Sequence, residues 1–231
     1  MDAKELKKRA GRKALEYVKS GMKIGLGTGS TVNEFIKLLS YEIKNGLEIQ
    51  ATATSIQTEK LCAELSIKLY DLDELVNLDL VVDGADEITE NLGAIKGGGG
   101  ALLREKIVAY ASEAMLVIAD ESKLVDKLGT FPLPIEINKF GMETTKKACL
   151  DLLYDLGYEN IQHKWRKSAD GNFFETDGGH VILDVLLGEV DEFSDIGERL
   201  LNIPGVVEHG LFLDLPTSAI IAMNDGEFRI I

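Results

Sequence analysis

The chain has 231 residues, 45% hydrophobic and 28% charged, with a formal net charge of −14. That length buries a real core in one or two domains, and the composition excludes disordered and collagen-like classes. The acidic balance excludes nonspecific nucleic-acid binding, and any phosphate ligand must be drawn in by local lysines and backbone N–H groups.

The segment Met1 to Lys8 lacks the apolar stretch of a signal peptide, and the apolar runs are too short to cross a bilayer. A cytoplasmic location with no membrane partner is therefore expected. Cys62 and Cys149 stand far apart in apolar-periodic segments and read as buried thiols, and with no Cys-x-x-Cys or Cys/His cluster a structural zinc site is not expected.

In chain order, Ala3, Leu6, Ala10, Ala14 and Val18 recur at helical spacing, and Met22 to Gly27 then reads as a strand. Thr28-Gly29-Ser30 is a turn. Thr31 and Glu34 have the spacing of a capping box, opening a helix through Phe35, Leu38, Leu39 and Ile43. Ile49 to Thr54 is a second strand, followed by Ser55 as N-cap of a helix carrying Leu61 and Leu65. Ile67 to Tyr70, Leu78 to Val82 and Met115 to Ala119 read as further strands, with a glycine-rich loop and a helix from Ala101 to Ser112 between the last two. This alternation predicts an α/β fold: an open, mostly parallel sheet with helices on both faces, Rossmann-like in layout.

Near Phe131-Pro132-Leu133-Pro134 the pattern changes. Leu133 to Ile137 reads as a strand, Met142 to Leu156 as a helix stopped by Gly157, and Tyr158 to Trp165 and Val181 to Leu187 as strands. Ser194 to Leu201 reads as a helix and Val206 to Leu213 as a strand. That β-α-β-β-α-β order predicts a smaller, ferredoxin-like α+β domain at 130–204, with 1–129 and 205–231 forming the larger α/β domain. Ala219 to Met223 and Phe228 to Ile231 form a terminal hairpin about Asn224-Asp225-Gly226.

Three segments can carry chemistry. Gly25 to Thr31 lies between a strand and a helix, where glycines permit close backbone approach and the helix start offers unpaired N–H donors to a phosphate. A dinucleotide fingerprint is a poor fit: Ser30 stands at the third glycine position, and the next strand ends in Thr52-Ala53-Thr54 without an acid. A tight turn without a ligand stays open. Val81 to Glu87 ends an apolar strand in a cluster of carboxylates; a divalent metal, sugar hydroxyls and plain solvation are all open readings. Lys96 to Lys106 runs through four glycines into a helix that carries Glu105, and is not a Walker A loop because no Lys-Ser/Thr follows the glycines. A flexible linker is the competing reading. Lys123 follows the strand ending at Ala119 and can reach the same sheet edge. His163, His180 and His209 lie outside these segments and read as structural.

Together, Gly25 to Thr31, Asp83 to Glu87, Lys96 to Lys106, Ala119 to Lys123 and Phe131 to Pro134, with weaker echoes at 179–184 and 203–207, resemble the ribose-5-phosphate isomerase A family over essentially the whole chain. The resemblance implies a reversible aldose–ketose isomerisation of ribose 5-phosphate and ribulose 5-phosphate through an enediolate, in the pentose phosphate pathway, with no metal or other cofactor. It implies Glu105 as general base, Asp83 and Asp86 binding or polarising sugar hydroxyls beside Lys96, and Gly97, Gly98 and Gly99 lining the site. Thr28, Gly29, Ser30, Thr31, Gly84, Ala85 and Lys123 are implied substrate contacts, with the phosphate near Ser30 and Thr31 and Lys7 as a further phosphate contact. A homodimer or homotetramer is implied, with the smaller domain available as a subunit interface. Gly100 departs from the family pattern, standing where many relatives carry Ala, which bears on loop flexibility more than on chemistry. A noncatalytic sugar-phosphate sensor of related fold is the alternative; it would keep the glycine loops and lysines without needing Glu105.

Overall fold

The computed structural model describes residues 1–190 and 194–231. The chain enters through helix α1 (Ala3–Ala14), capped by the Asp2 carboxylate on the Glu5 N–H, and passes to strand β1 (Lys23–Leu26). Helix α2 (Ser30–Lys44), strand β2 (Gln50–Ala53), helix α3 (Ile56–Glu64) and the single turn α4 (Leu72–Leu75) lead to β3 (Leu80–Asp83). Two short strands, β4 (Glu87–Ile88) and β5 (Ala94–Ile95), precede helix α5 (Leu102–Tyr110) and strand β6 (Met115–Asp120). Then come β7 (Leu133–Ile137), α6 (Met142–Asp155), β8 (Gln162–Trp165), β9 (Val181–Leu186) and α7 (Ser194–Leu201). The chain ends with β10 (Val206–His209), β11 (Leu211–Phe212), β12 (Ser218–Ala222) and β13 (Phe228–Ile230).

The central sheet has the order β13-β12-β6-β3-β1-β2, parallel except for β13. Strand period sorts its two faces. Ile24, Leu26, Leu80, Val82, Leu116, Ile118 and Ile220 pack under α1 and α2, against residues such as Leu6, Ala10, Phe35 and Leu39. Val81, Met115, Val117, Ala219 and Ile221 face the other way, toward Val108 and Ala109 of α5 and the ring of Phe212. Both faces are covered, as parallel sheets require. Because β2 and β3 flank β1 on opposite sides, the carboxyl ends of β1 and β3 form the topological switch point, the usual ligand crevice of open α/β sheets.

A second, four-stranded antiparallel sheet has the order β10-β7-β9-β8. Leu133, Ile135, Ile137, Val181, Leu183 and Val185 cover one face and pack on Cys149 and Leu153 of α6 and Ile196 and Leu200 of α7. The alternate residues Glu136 and Asp184 lie on the opposite face. The β-α-β-β-α-β order is thus present, and its fourth strand, β10, lies past the expected boundary at 204. A three-stranded sheet, β11-β5-β4, links the two larger ones.

Two local expectations are corrected. No strand forms over Ile67 to Tyr70: Ser66 takes a φ of 61°, and only Leu69 bridges to Ala51. The expected strand from Val206 to Leu213 breaks at Gly210, where the chain changes sheets. Gly210 donates to Pro134 O and accepts from Lys96 N, each at 2.8 Å, and a side chain there would strike the Lys96 carbonyl.

Candidate active site

The loop after β1 forms the first wall of the site. A Cβ at Gly27 would collide with the Asp83 carboxylate, and Gly29 adopts a φ of 120°, so both positions need glycine. The helix α2 starts at Ser30 with Gly29 as its N-cap and no side-chain cap. The expected Thr31–Glu34 capping box is therefore corrected: Glu34 pairs instead with Lys37 at 2.6 Å. The first N–H groups of α2 stay available, with the positive end of the helix dipole behind them.

Thr28 anchors this wall from beneath. Its hydroxyl lies 2.8 Å from those of Thr54 and Ser55 and 3.2 Å from that of Thr58, and Thr58 donates onward to Gly27 O at 2.8 Å. All four residues are buried. Ser55 is the N-cap of α3 as expected, accepting from the Thr58 N–H at 3.0 Å, but Thr54, Ser55 and Thr58 were not expected at the site; the available signal was a run of hydroxyl residues at the carboxyl end of a strand beside the switch point.

The second wall comes from the carboxyl end of β3. Asp83 is fully buried, with Oδ1 accepting from the N–H of Thr28 at 3.0 Å and of Gly84 at 2.8 Å, and Oδ2 3.0 Å from Lys96 Nζ. Lys96 also donates to Gly84 O at 2.6 Å. Asp86 accepts from the Gly98 N–H at 2.7 Å. Glu87 turns away from the site and holds the N–H groups of Gly129 and Phe131, so the acidic segment divides between site and scaffold.

The third wall is the glycine loop and α5. Gly97 and Gly100 have φ of 102° and 80°, and a side chain at Gly100 would meet the ring of Phe174. Glu105, in the first turn of α5, is 4% exposed and places Oε2 3.5 Å from Lys96 Nζ. No hydrogen-bond donor among the described residues reaches that oxygen. Burial pushes the Glu105 carboxyl up; Lys96 pulls it back and Asp83 and Asp86 add to the rise, leaving it at about 8. Burial would lower the Lys96 ammonium, but Asp83 and Glu105 outweigh it and hold Lys96 above its ordinary value.

These walls enclose a cavity of about 160 Å³. Thr28, Gly29, Ser30 and Thr31 line it with Gly84, Ala85 and Asp86; Lys96, Gly97, Gly98, Gly99 and Glu105 complete the opposite side. Lys7 from α1 and Lys123 from the turn after β6 line it as well, the latter set by Asp120 capping that turn. Of the expected residues, only Asp83 stays out of the lining, beneath Lys96. Val32 lines it without having been expected. His209 stands apart: its Nδ1 accepts from Leu211 N–H, and burial with Lys106 nearby pushes it down to about 3.

An anion cradle of helix N–H groups, hydroxyls and two lysines thus shares one small cavity with a desolvated carboxylate and a buried ammonium. That equipment belongs to enzymes that hold a small phosphorylated molecule and move protons within it. The family model for ribose 5-phosphate isomerase A (phosphoriboisomerase A) matches residues 50–226. Ribose-5-phosphate isomerase A of Sinorhizobium fredii is 53% identical over 98% of this chain and 97% of its own length. The ribose 5-phosphate isomerase structure from Plasmodium falciparum superposes with a TM-score of 0.93 at 38% identity, covering 99% of this chain and 98% of that one. A D-ribose-5-phosphate isomerase in complex with phospho-erythronic acid matches with a TM-score of 0.91 at 36% identity, covering 100% and 99%. This chain belongs to the ribose-5-phosphate isomerase A family, whose members are aldose–ketose isomerases, and the noncatalytic alternative is not favoured.

Proposed function

We propose that this chain interconverts ribose 5-phosphate and ribulose 5-phosphate, with Glu105 carrying the proton between C2 and C1. The observation that carries the reading is Glu105 itself: a buried carboxyl pushed up to about 8, in one cavity with an uncapped helix start and two lysines. The Glu105 carboxylate removes the C2 proton of the open-chain aldose, the C–H electrons form the C1–C2 double bond, and the C1 oxygen takes the negative charge. The same carboxyl returns its proton to C1, the C2 hydroxyl proton passes to the C1 oxygen, and the C2 carbonyl forms, leaving the ketose. Lys96 and the glycine-loop N–H groups are placed to stabilise the enediolate oxygens, and Asp86 to accept from a sugar hydroxyl. Asp83 acts from below, holding Lys96 charged and in place. Ser30, Thr31 and the α2 start receive the phosphate, with Lys7 and Lys123 as its counter-charges.

The test is turnover of ribose 5-phosphate by the purified chain in excess EDTA, across pH 6 to 9. Full activity under chelation is expected, and a requirement for added Mg²⁺ would overturn the metal-free reading. The base works ionised, so kcat/KM should fall about tenfold per pH unit below about 8 and level off above it. A flat profile would remove Glu105 from this role. Lys123→Ala should raise KM about tenfold and leave kcat within about twofold, since the phosphate does not change in the transition state. A fall confined to kcat would place Lys123 at the reacting end instead.

The family resemblance also supports a cytoplasmic homodimer or homotetramer, with residues 130–204 and β10 available as an interface; sedimentation of the purified chain reads the assembly directly.

A further inference from the structure

The glycine loop is gripped by a residue outside the cavity. Arg166, directly after β8, donates from Nη1 to the carbonyls of Gly97 at 2.6 Å and Gly98 at 3.1 Å. Asp184 on β9 fixes the same guanidinium in a forked pair, with Nε to Oδ2 at 3.1 Å and Nη2 to Oδ1 at 2.5 Å. Both side chains are largely buried, at 14% and 9% exposure, where such a pair sets orientation as well as attraction.

The consequence falls on two peptides. The Gly97–Gly98 unit is held at both ends, its carbonyl by Arg166 and its N–H by Asp86. In the next unit Arg166 holds the Gly98 carbonyl. No cis peptide occurs among the described residues, so the Gly99 N–H points to the opposite side of that peptide. Gly99 lines the cavity and Arg166 does not. Glycines have wide φ freedom, and a free run of four would sample several orientations of these N–H groups.

We propose that Arg166, locked by Asp184, is a positioning residue that turns the Gly98–Gly99 peptide so that the Gly99 N–H donates to the enediolate oxygen. This rests on the isomerase reading above. Arg166 touches no reacting atom; it acts through the loop, and it explains how a glycine run can serve as a fixed donor.

The test compares two probes by calorimetry on wild type, Arg166→Ala and Arg166→Lys. Phospho-erythronic acid carries a carboxylate whose two anionic oxygens resemble those of an enediolate, whereas ribitol 5-phosphate carries only alcohols. In Arg166→Ala the acid should bind about 10- to 100-fold more weakly and kcat should fall by a similar factor, while ribitol 5-phosphate affinity and KM stay within about threefold. Arg166→Lys, which keeps a cationic donor but loses the planar fork, should recover part of both losses. If Arg166→Ala does not fold, the same selective loss, smaller in size, is required of Arg166→Lys. Equal weakening of both probes, or no weakening of either, overturns the proposal. Absence of turnover by the wild type would instead overturn the isomerase reading and take this proposal with it.

Discussion

Glu105→Gln should lower kcat by about 10³-fold while leaving the affinity for ribitol 5-phosphate nearly unchanged, because a positioned base contributes about 10²–10⁴-fold and the amide keeps its shape. The same substitution has a distinct signature in stability. A carboxyl raised to about 8 in the folded chain binds more protons there than in the unfolded chain, where it titrates near the ordinary carboxylate value of 4.5. Its contribution to stability is complete below about 4.5 and is lost as pH rises through about 8. The Gln variant has no such proton to lose. Thermal unfolding should therefore show the variant close to wild type in mild acid and gaining on it at pH 9. Substantial residual turnover, or parallel pH curves, would show that Glu105 is neither the base nor the raised group.

Lys96→Met should be nearly inactive and strongly destabilised. Lys96 is the cation facing the buried Asp83 and Glu105, at 3.0 and 3.5 Å. Removing one partner of a buried ion pair leaves an uncompensated charge and costs about 3–5 kcal/mol. Loss of a donor to the developing oxyanion should lower kcat a further 10²–10³-fold, about 3–4 kcal/mol in the transition state. Asp83 would stay anchored by two backbone N–H groups, so Glu105 should take up the difference and become still harder to ionise. Urea denaturation at pH 6 and pH 8 reads the first effect, with the greater loss expected at pH 8, and single-turnover kinetics read the second. A stable, active Met variant would refute the assigned role.

The parts of the site that read directly from sequence are those whose chemistry is local in the chain. Gly25 to Thr31, Asp83 to Asp86 and Lys96 to Glu105 each join a strand end to the next loop or helix, and the parallel order places their ends together. The strand period in the structure also sets the two core faces, Ile24, Leu26, Leu80 and Val82 alternating with residues that face the other layer. What did not read were contacts between distant segments. Arg166 lies in a polar stretch with no pattern of its own, 69 residues from the carbonyl it holds. The hydroxyls of Thr54, Ser55 and Thr58 meet Thr28 only once β1 and β2 pair. The capping box failed for a related reason: Glu34 has a lysine one turn away, and the helix start is kept open.

That open start couples the lifetime of the fold to its surroundings. On the proposed binding mode, a phosphate completes the first turn of α2, supplying acceptors that no side chain provides. A ligand that binds only the folded chain adds RT ln(1 + [L]/Kd), about 2.7 kcal/mol at a hundred times Kd. A chain surrounded by phosphorylated sugars would then unfold and be degraded more slowly than one deprived of them, so abundance of the enzyme would track supply of its own substrate with no separate regulator.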